Sequence, residues 1–322
     1  MEQLSLFDSV NISESQEEKK EQPTPQPTTE KKSAGFSTRA MKYDRERGWQ
    51  KLKFNKDITR TLKHGWLLPY LSAIDAELFN RWSYWAYLQQ VPTPLAVKLV
   101  SRPLEDIKDD ALEFVNQKPF PLIEFGKEKS VADWLYSLIS KISIVGDDSG
   151  AWGSVEFFLD WCLFGFGHPH FTSLPEEGHY YQLATQMLYQ CFDLFPLMAH
   201  PHDYMGEILA LLQNPMTEAS KKFYPTPMTV VQVMASLTCL HSDPIASFSE
   251  CACGSGAIIL GVSNYHLSGM FQDKSRLFVK ATLFQCFLYA PWFAYPLWWL
   301  KSQSGMRVGN TISGKVDLDF HV

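Results

Sequence analysis

The sequence is short of several things that would have pointed to a function. Its six cysteines contain no Cys-x-x-Cys pair, and none sits at metal-ligand spacing beside a histidine. With no leader-like start either, the expectation is a cytoplasmic chain with free, reduced thiols. Basic charge is not in excess: 29 Lys/Arg stand against 35 Asp/Glu, a net −6, so the chain as a whole does not advertise a polyanion as partner. No internal repeat is found. Residues 11–37 have almost no apolar side chains and consist of Glu, Lys, Gln, Pro, Thr and Ser. Such a segment cannot bury enough surface to offset the entropy of ordering, so residues 1–38 are expected to be a disordered tail. The segment 281–300 lacks any charge and is long enough to span a bilayer, but it carries Gln285, Pro291 and Pro296. The expectation is a buried core segment, with no membrane partner.

What is present centres on Phe248-Ser249-Glu250-Cys251-Ala252-Cys253-Gly254-Ser255-Gly256. An apolar strand end at Ile245 to Phe248, an acid, a Gly-x-Gly turn and a helix from about Ala257 to Leu267 lead to a second short strand. That strand covers roughly Gly269 to Gln272 and ends on Asp273. Strand, glycine turn, helix and strand make one βαβ unit. Glycines let the backbone turn sharply and let a ligand approach it, and an acid closing the second strand is placed to accept from the two hydroxyls of a ribose. Upstream lies Phe223-Tyr224-Pro225-Thr226-Pro227, followed by an apolar helical run through Val230, Val231, Val233, Met234 and Leu237.

Together these segments resemble an S-adenosylmethionine-dependent DNA adenine N6-methyltransferase of the type I modification-subunit kind, in the versions carried by plasmids and phages. The matching strings are Phe223 to Pro227, Glu250 to Gly256, and Asp273. Phe158-Leu159-Asp160-Trp161-Cys162-Leu163-Phe164-Gly165, Asp203-Tyr204-Met205-Gly206-Glu207, Ser263-Asn264-Tyr265, Leu288 to Trp292 and Gly309-Asn310-Thr311 extend the likeness over roughly residues 150–312. The resemblance implies an α/β fold with a Rossmann-like methyltransferase core, whole or lacking its catalytic half, at 216–322, preceded by a mostly helical domain at 39–215. It implies S-adenosyl-L-methionine as cofactor, held by Tyr224, Thr226, Glu250, Cys253, Gly254, Gly256 and Asp273, and DNA as a partner in restriction-modification. Three departures stand out. Glu250-Cys251 replaces Asp-Pro, Ser275 replaces a second acid, and no Asn/Asp-Pro-Pro-Tyr/Phe tetrapeptide occurs. In the family that tetrapeptide holds the flipped adenine, so the catalytic residues are unknown. Such a chain acts with a second methyltransferase or specificity subunit, is a truncated reading frame, or is an inactive methyltransferase-like interaction protein.

Two further segments name partners. Gln3-Leu4-Ser5-Leu6-Phe7 is similar to the pentapeptide by which bacterial proteins dock on the DNA polymerase sliding clamp, with Leu4, Leu6 and Phe7 as apolar anchors and Gln3 as a polar edge contact. Residues 39–63 hold nine Lys/Arg and three acids, a local +6, interleaved with Trp49 and Phe54. Arg45, Arg47, Lys51 and Lys53 are the candidate phosphate contacts there, against the plainer reading of a solvated face. Residues 65–215 read as helical, with Ser130 as a helix cap. His168-Pro169-His170 and His200-Pro201-His202 could supply imidazoles to a metal, but proline holds each pair extended in a loop, so no metal site is expected.

Overall fold

The apolar residues that recur at helical spacing build thirteen α-helices among the described residues. The computed structural model describes residues 62–320 except 127, 146–149, 175–178 and 214–222. All of these fall within one unit, Gly35–Val322. In chain order the helices are α1 (Leu68–Leu78), α2 (Arg81–Gln89), α3 (Thr93–Ser101), α4 (Lys108–Val115), α5 (Lys129–Val145), α6 (Gly150–Phe166), α7 (His179–Cys191), α8 (Phe195–Ala199), α9 (Tyr204–Leu211) and α10 (Met228–Cys239). Then come β1 (Ser247–Glu250), α11 (Ala257–Val262), β2 (Ser268–Asp273), α12 (Arg276–Tyr289), α13 (Pro291–Ala294), β3 (Gly305–Asn310) and β4 (Lys315–Asp319).

The fold is thus mixed α/β and mostly helical. Its four strands run in the order β1-β2-β3-β4, the first three parallel and β4 antiparallel to β3. Parallel neighbours need crossovers, and α11 and then α12 and α13 supply them. Asp273 closes β2, opposite Val308 of β3. Among the described residues β1 pairs only with β2, so it is a sheet edge.

Two helices are buried on nearly every side, as their mostly apolar sequences favour. In α6, Phe158, Trp161, Cys162 and Phe166 are fully buried, and in α12 every residue from Val279 to Tyr289 is buried. They pack on each other through Phe158 against Phe284 (5.4 Å) and Phe166 against Phe287 (4.9 Å). The uncharged stretch 281–300 is therefore mostly a buried part of the core. It breaks at Pro291, and no helix among the described residues is long and apolar enough to cross a membrane. One continuous hydrophobic core joins the helical segment to the sheet.

Charged side chains inside this core are partnered. Lys280, 1% exposed, lies 2.7 Å from Glu156 and 2.7 Å from Asp160. Arg81, fully buried, donates to Pro121 O (2.9 Å), Ser263 Oγ (2.8 Å), Tyr289 O (2.5 Å) and Asn264 Oδ1, and lies over the Trp292 ring. Burial lowers its pKa to about 9, with Asp75 opposing. Asn264 also pairs with both backbone groups of Ile123 (2.9 and 2.8 Å).

That pairing accompanies a difference from the sequence expectation. Helix α11 stops at Val262 instead of reaching Leu267, and the side chains just beyond its end are held elsewhere, Ser263 by Arg81 and Asn264 by Arg81 and Ile123. At the start of α5, Ser130 is not the cap. Glu128 accepts from the Ser130 N–H (3.3 Å) and hydroxyl (2.7 Å), and its carbonyl takes the Val131 and Ala132 N–H groups. The expected tail, 1–38, lies outside the described residues.

Candidate ligand-binding site

The site grows from the turn that follows β1. Glu250 closes the strand and its Oε1 accepts from Ala252 N (2.9 Å), bending the chain back. Cys253 N then donates to Gln272 O (2.9 Å), which fastens the loop to β2. Gly254 has φ +56° and Gly256 φ +99°, conformations that a side chain disfavours. Space is limited at both. A Cβ on Gly254 would lie 2.9 Å from Phe223 Cε2, and one on Gly256 3.1 Å from Thr282 Cγ2. Thr282 Oγ1 in turn donates to Gly254 O (2.9 Å).

Asp273 meets this loop from β2. Its Oδ2 accepts from Gly254 N (3.0 Å) and its Oδ1 from Ser275 N (2.8 Å). A carboxylate oxygen takes two donors, so each keeps one acceptor direction. The side chain is 9% exposed and lines the cavity described below.

Behind the loop lies a network of buried polar groups. Asp203 Oδ1 accepts from Gly206 N (2.8 Å) and Gln285 Nε2 (2.9 Å), and Oδ2 from Ser255 Oγ (2.9 Å). Gln285 Nε2 also donates to Ser255 O (2.6 Å), and Met205 N donates to Gln285 Oε1 (3.4 Å). Asp203 caps α9, and Gly206 must be glycine because a Cβ there would lie 2.1 Å from Asp203 Oδ2. Burial raises the Asp203 pKa; Gln285, Gly206 and Ser255 pull it back by hydrogen bonding. The Asp203 string flagged in the sequence is therefore the rear support of the glycine loop.

In front of the loop is a cavity of about 560 Å³. One wall is Phe223, Tyr224 and Thr226, where Phe223 packs on Phe278 with ring centroids 5.0 Å apart. Another is the turn after β3, Gly309 to Ile312, joined to the loop by Thr311 Oγ1 donating to Cys251 O (2.8 Å). Ile258 and Phe278 add apolar surface, and Lys274 a cation. Of the sequence candidates, Tyr224, Thr226, Cys253, Gly254 and Asp273 line this cavity; Glu250 and Gly256 shape the loop without lining it. Apolar flanks, a backbone loop and a two-oxygen acceptor suit an amphipathic ligand with neighbouring hydroxyls.

Sequence reasoning passed over the roles of Ser255, Thr282 and Gln285. The glycine spacing pointed at the loop, but nothing in the string Leu283-Phe284-Gln285-Cys286 marks Gln285 as its support. Burial raises the Cys253 thiol pKa, so Cys253 offers a neutral surface and no thiolate. All six cysteines are free.

The other candidates lie elsewhere. Gln3, Leu4, Leu6 and Phe7, and Arg45, Arg47, Lys51 and Lys53, are outside the described residues. The histidine strings do not converge. His168 is buried among Phe171, Phe287, Tyr295 and Phe320, and burial lowers its pKa to about 3. His202 Nε2 lies 3.0 Å from Glu207. Among the described residues no three His, Cys, Asp or Glu side chains are grouped to hold a metal ion. No protein-family model, no curated protein and no solved structure matches this chain.

Proposed function

We propose that this chain binds S-adenosyl-L-methionine in the cavity at the ends of β1, β2 and β3, as a protein of the DNA adenine N6-methyltransferase type with a Rossmann-like core. The observation that carries the reading is the meeting of the Phe223-Tyr224-Pro225-Thr226 arm, the Cys253-Gly254-Ser255 loop and Asp273 around one cavity of about 560 Å³. These three strings are far apart in sequence, and they are the ones on which the family likeness rests. In this reading Asp273 accepts from the ribose hydroxyls with its two remaining acceptor directions. The loop and Thr226 hold the methionine part, and Phe278, Ile258 and Ile312 flank the adenine ring. The sulfonium supplies an electrophilic methyl group, and the protein's task is to align a base amine with it.

No residue of this chain is assigned to holding the base. In this reading methyl transfer calls for a Pro-Pro-aromatic element that residues 1–322 do not carry. DNA contacts fall to the basic stretch around Arg45, Arg47, Lys51 and Lys53, and Gln3 to Phe7 tether the chain to a sliding clamp. The second reading, an inactive methyltransferase-like adaptor for DNA and clamp, is favoured by the same missing element.

Calorimetric titration with S-adenosylmethionine tests the core of the reading, with Asp273→Ala as control. Micromolar binding that the substitution abolishes is expected. No binding by the native chain refutes it. Labelled methyl transfer to unmethylated DNA, with and without a partner subunit, then separates enzyme from adaptor.

A further inference from the structure

Asp203 is a carboxylate without a countercharge. It is 4% exposed, and no lysine or arginine among the described residues forms an ion pair with it. His202, next in sequence, turns its Nε2 to Glu207 instead. All three side-chain and backbone groups that touch the Asp203 oxygens donate to them: Gly206 N, Gln285 Nε2 and Ser255 Oγ. The ionised form accepts all three. A buried, hydrogen-bonded anion with no cation still carries an electrostatic cost, which a nearby positive charge would offset.

The cavity lies next to it. Ser255 lines that cavity and its hydroxyl is 2.9 Å from Asp203 Oδ2, so the carboxylate sits one side chain behind the wall. Of the charged residues lining the cavity, Asp273 and Lys274 are of opposite sign and adjacent. Behind this lining, the Asp203 carboxylate adds to the negative charge that Asp273 places in the wall. Screening by solvent is weak at a fully buried group, so its field reaches into the cavity.

We propose that Asp203 makes this cavity select a cationic ligand, and that it discriminates the sulfonium of S-adenosylmethionine from the uncharged thioether of S-adenosylhomocysteine. This rests on the cofactor reading above. Asp203 touches no ligand in this scheme; it is a selectivity residue that acts through Ser255.

The test is calorimetric titration of the full chain with both ligands, in native form and as Asp203→Asn. Asparagine is close to isosteric. Its carbonyl oxygen can keep the Gly206 and Gln285 bonds while its amide donates to Ser255 Oγ, so the scaffold is retained and only the charge is removed. The expected result is that affinity for S-adenosylmethionine falls on the order of tenfold, for a charge one side chain away at intermediate dielectric, while affinity for S-adenosylhomocysteine is unchanged. A purely structural role would weaken both alike, and equal losses, or no loss, overturn the proposal. Should Asp203→Asn fail to fold, the native chain decides: it must bind the sulfonium ligand more tightly than the thioether, and equal or inverted affinities overturn the proposal. If the native chain binds neither ligand, the cofactor reading itself fails and this inference falls with it.

Discussion

Gly254→Ala is the sharpest probe of the loop. The residue sits at φ +56°, and its new methyl would lie 2.9 Å from Phe223 Cε2. Two costs follow. A left-handed conformation costs an L residue about 1–2 kcal/mol. Overpacking against a buried ring costs about 1 kcal/mol or more. Phe223 is 8% exposed and held against Phe278, so its ring can yield only toward the cavity it lines. The substitution should therefore lower the urea midpoint by an amount equivalent to about 2–3 kcal/mol and weaken ligand binding as well. The backbone and steric parts can be separated by a double-mutant cycle with Phe223→Leu. Leucine is narrower where the clash arises and should cost about 1 kcal/mol alone. The double variant should be about 1 kcal/mol more stable than the sum of the single effects predicts, because the clash enters that sum once and is absent from the double variant. Urea denaturation of the four proteins at one pH measures this. Additivity within about 0.5 kcal/mol would refute the claim that Gly254 is glycine to make room for Phe223.

Two further outcomes follow from buried charge. Lys280→Met leaves Asp160 without its cation, and burial already raises the Asp160 pKa while Lys280 lowers it. The carboxyl of the variant then binds its proton more tightly folded than unfolded. The variant should be destabilised at neutral pH and recover relative to the native chain as pH falls through the raised Asp160 value, as read from urea midpoints across pH; a constant difference would rule this out. His168 has its pKa lowered from 6.5 to about 3 by burial. The unfolded chain takes up that proton first, so stability should fall as pH drops from 6.5 toward 3. His168→Phe, if it folds, should show a shallower acid loss; an unchanged slope would show that the protons are taken up elsewhere.

Local order along the chain was largely readable, and through-space order was not. The glycine turn, the helix at Ala257 and the acid closing β2 follow from spacing and from the steric needs of glycine, while the strand before them, expected at Ile245 to Phe248, lies at Ser247–Glu250. The helical character of 65–215 follows from its periodic aromatics. The errors at Leu267 and Ser130 share a feature: Asn264 and Glu128 form bonds that helix propensity does not encode. Asp203 was legible as part of a familiar string, and its capping of α9 is shown by the structure. Its reach to Ser255 and Gln285 depends on how α9, α11 and α12 converge, which no local pattern states. The same holds for Arg81, whose acceptors lie 182 and 208 residues further along.

The supports of the glycine loop also set when the cavity can come into being. Ser255 is held by a residue 52 positions earlier and by another 30 positions later. Its strand, β1, has four residues and one neighbour. The turn has local bonds of its own, but the buried supports of Ser255 are distant, and distant contacts come late because the chain must first close the intervening loops. On a ribosome, the loop is expected to gain its full support only after Gln285 has emerged and α12 has docked on α6. Recovery of ligand binding after dilution from urea should therefore coincide with burial of the α6–α12 aromatics and not precede it. Cavity formation and core closure are one kinetic event.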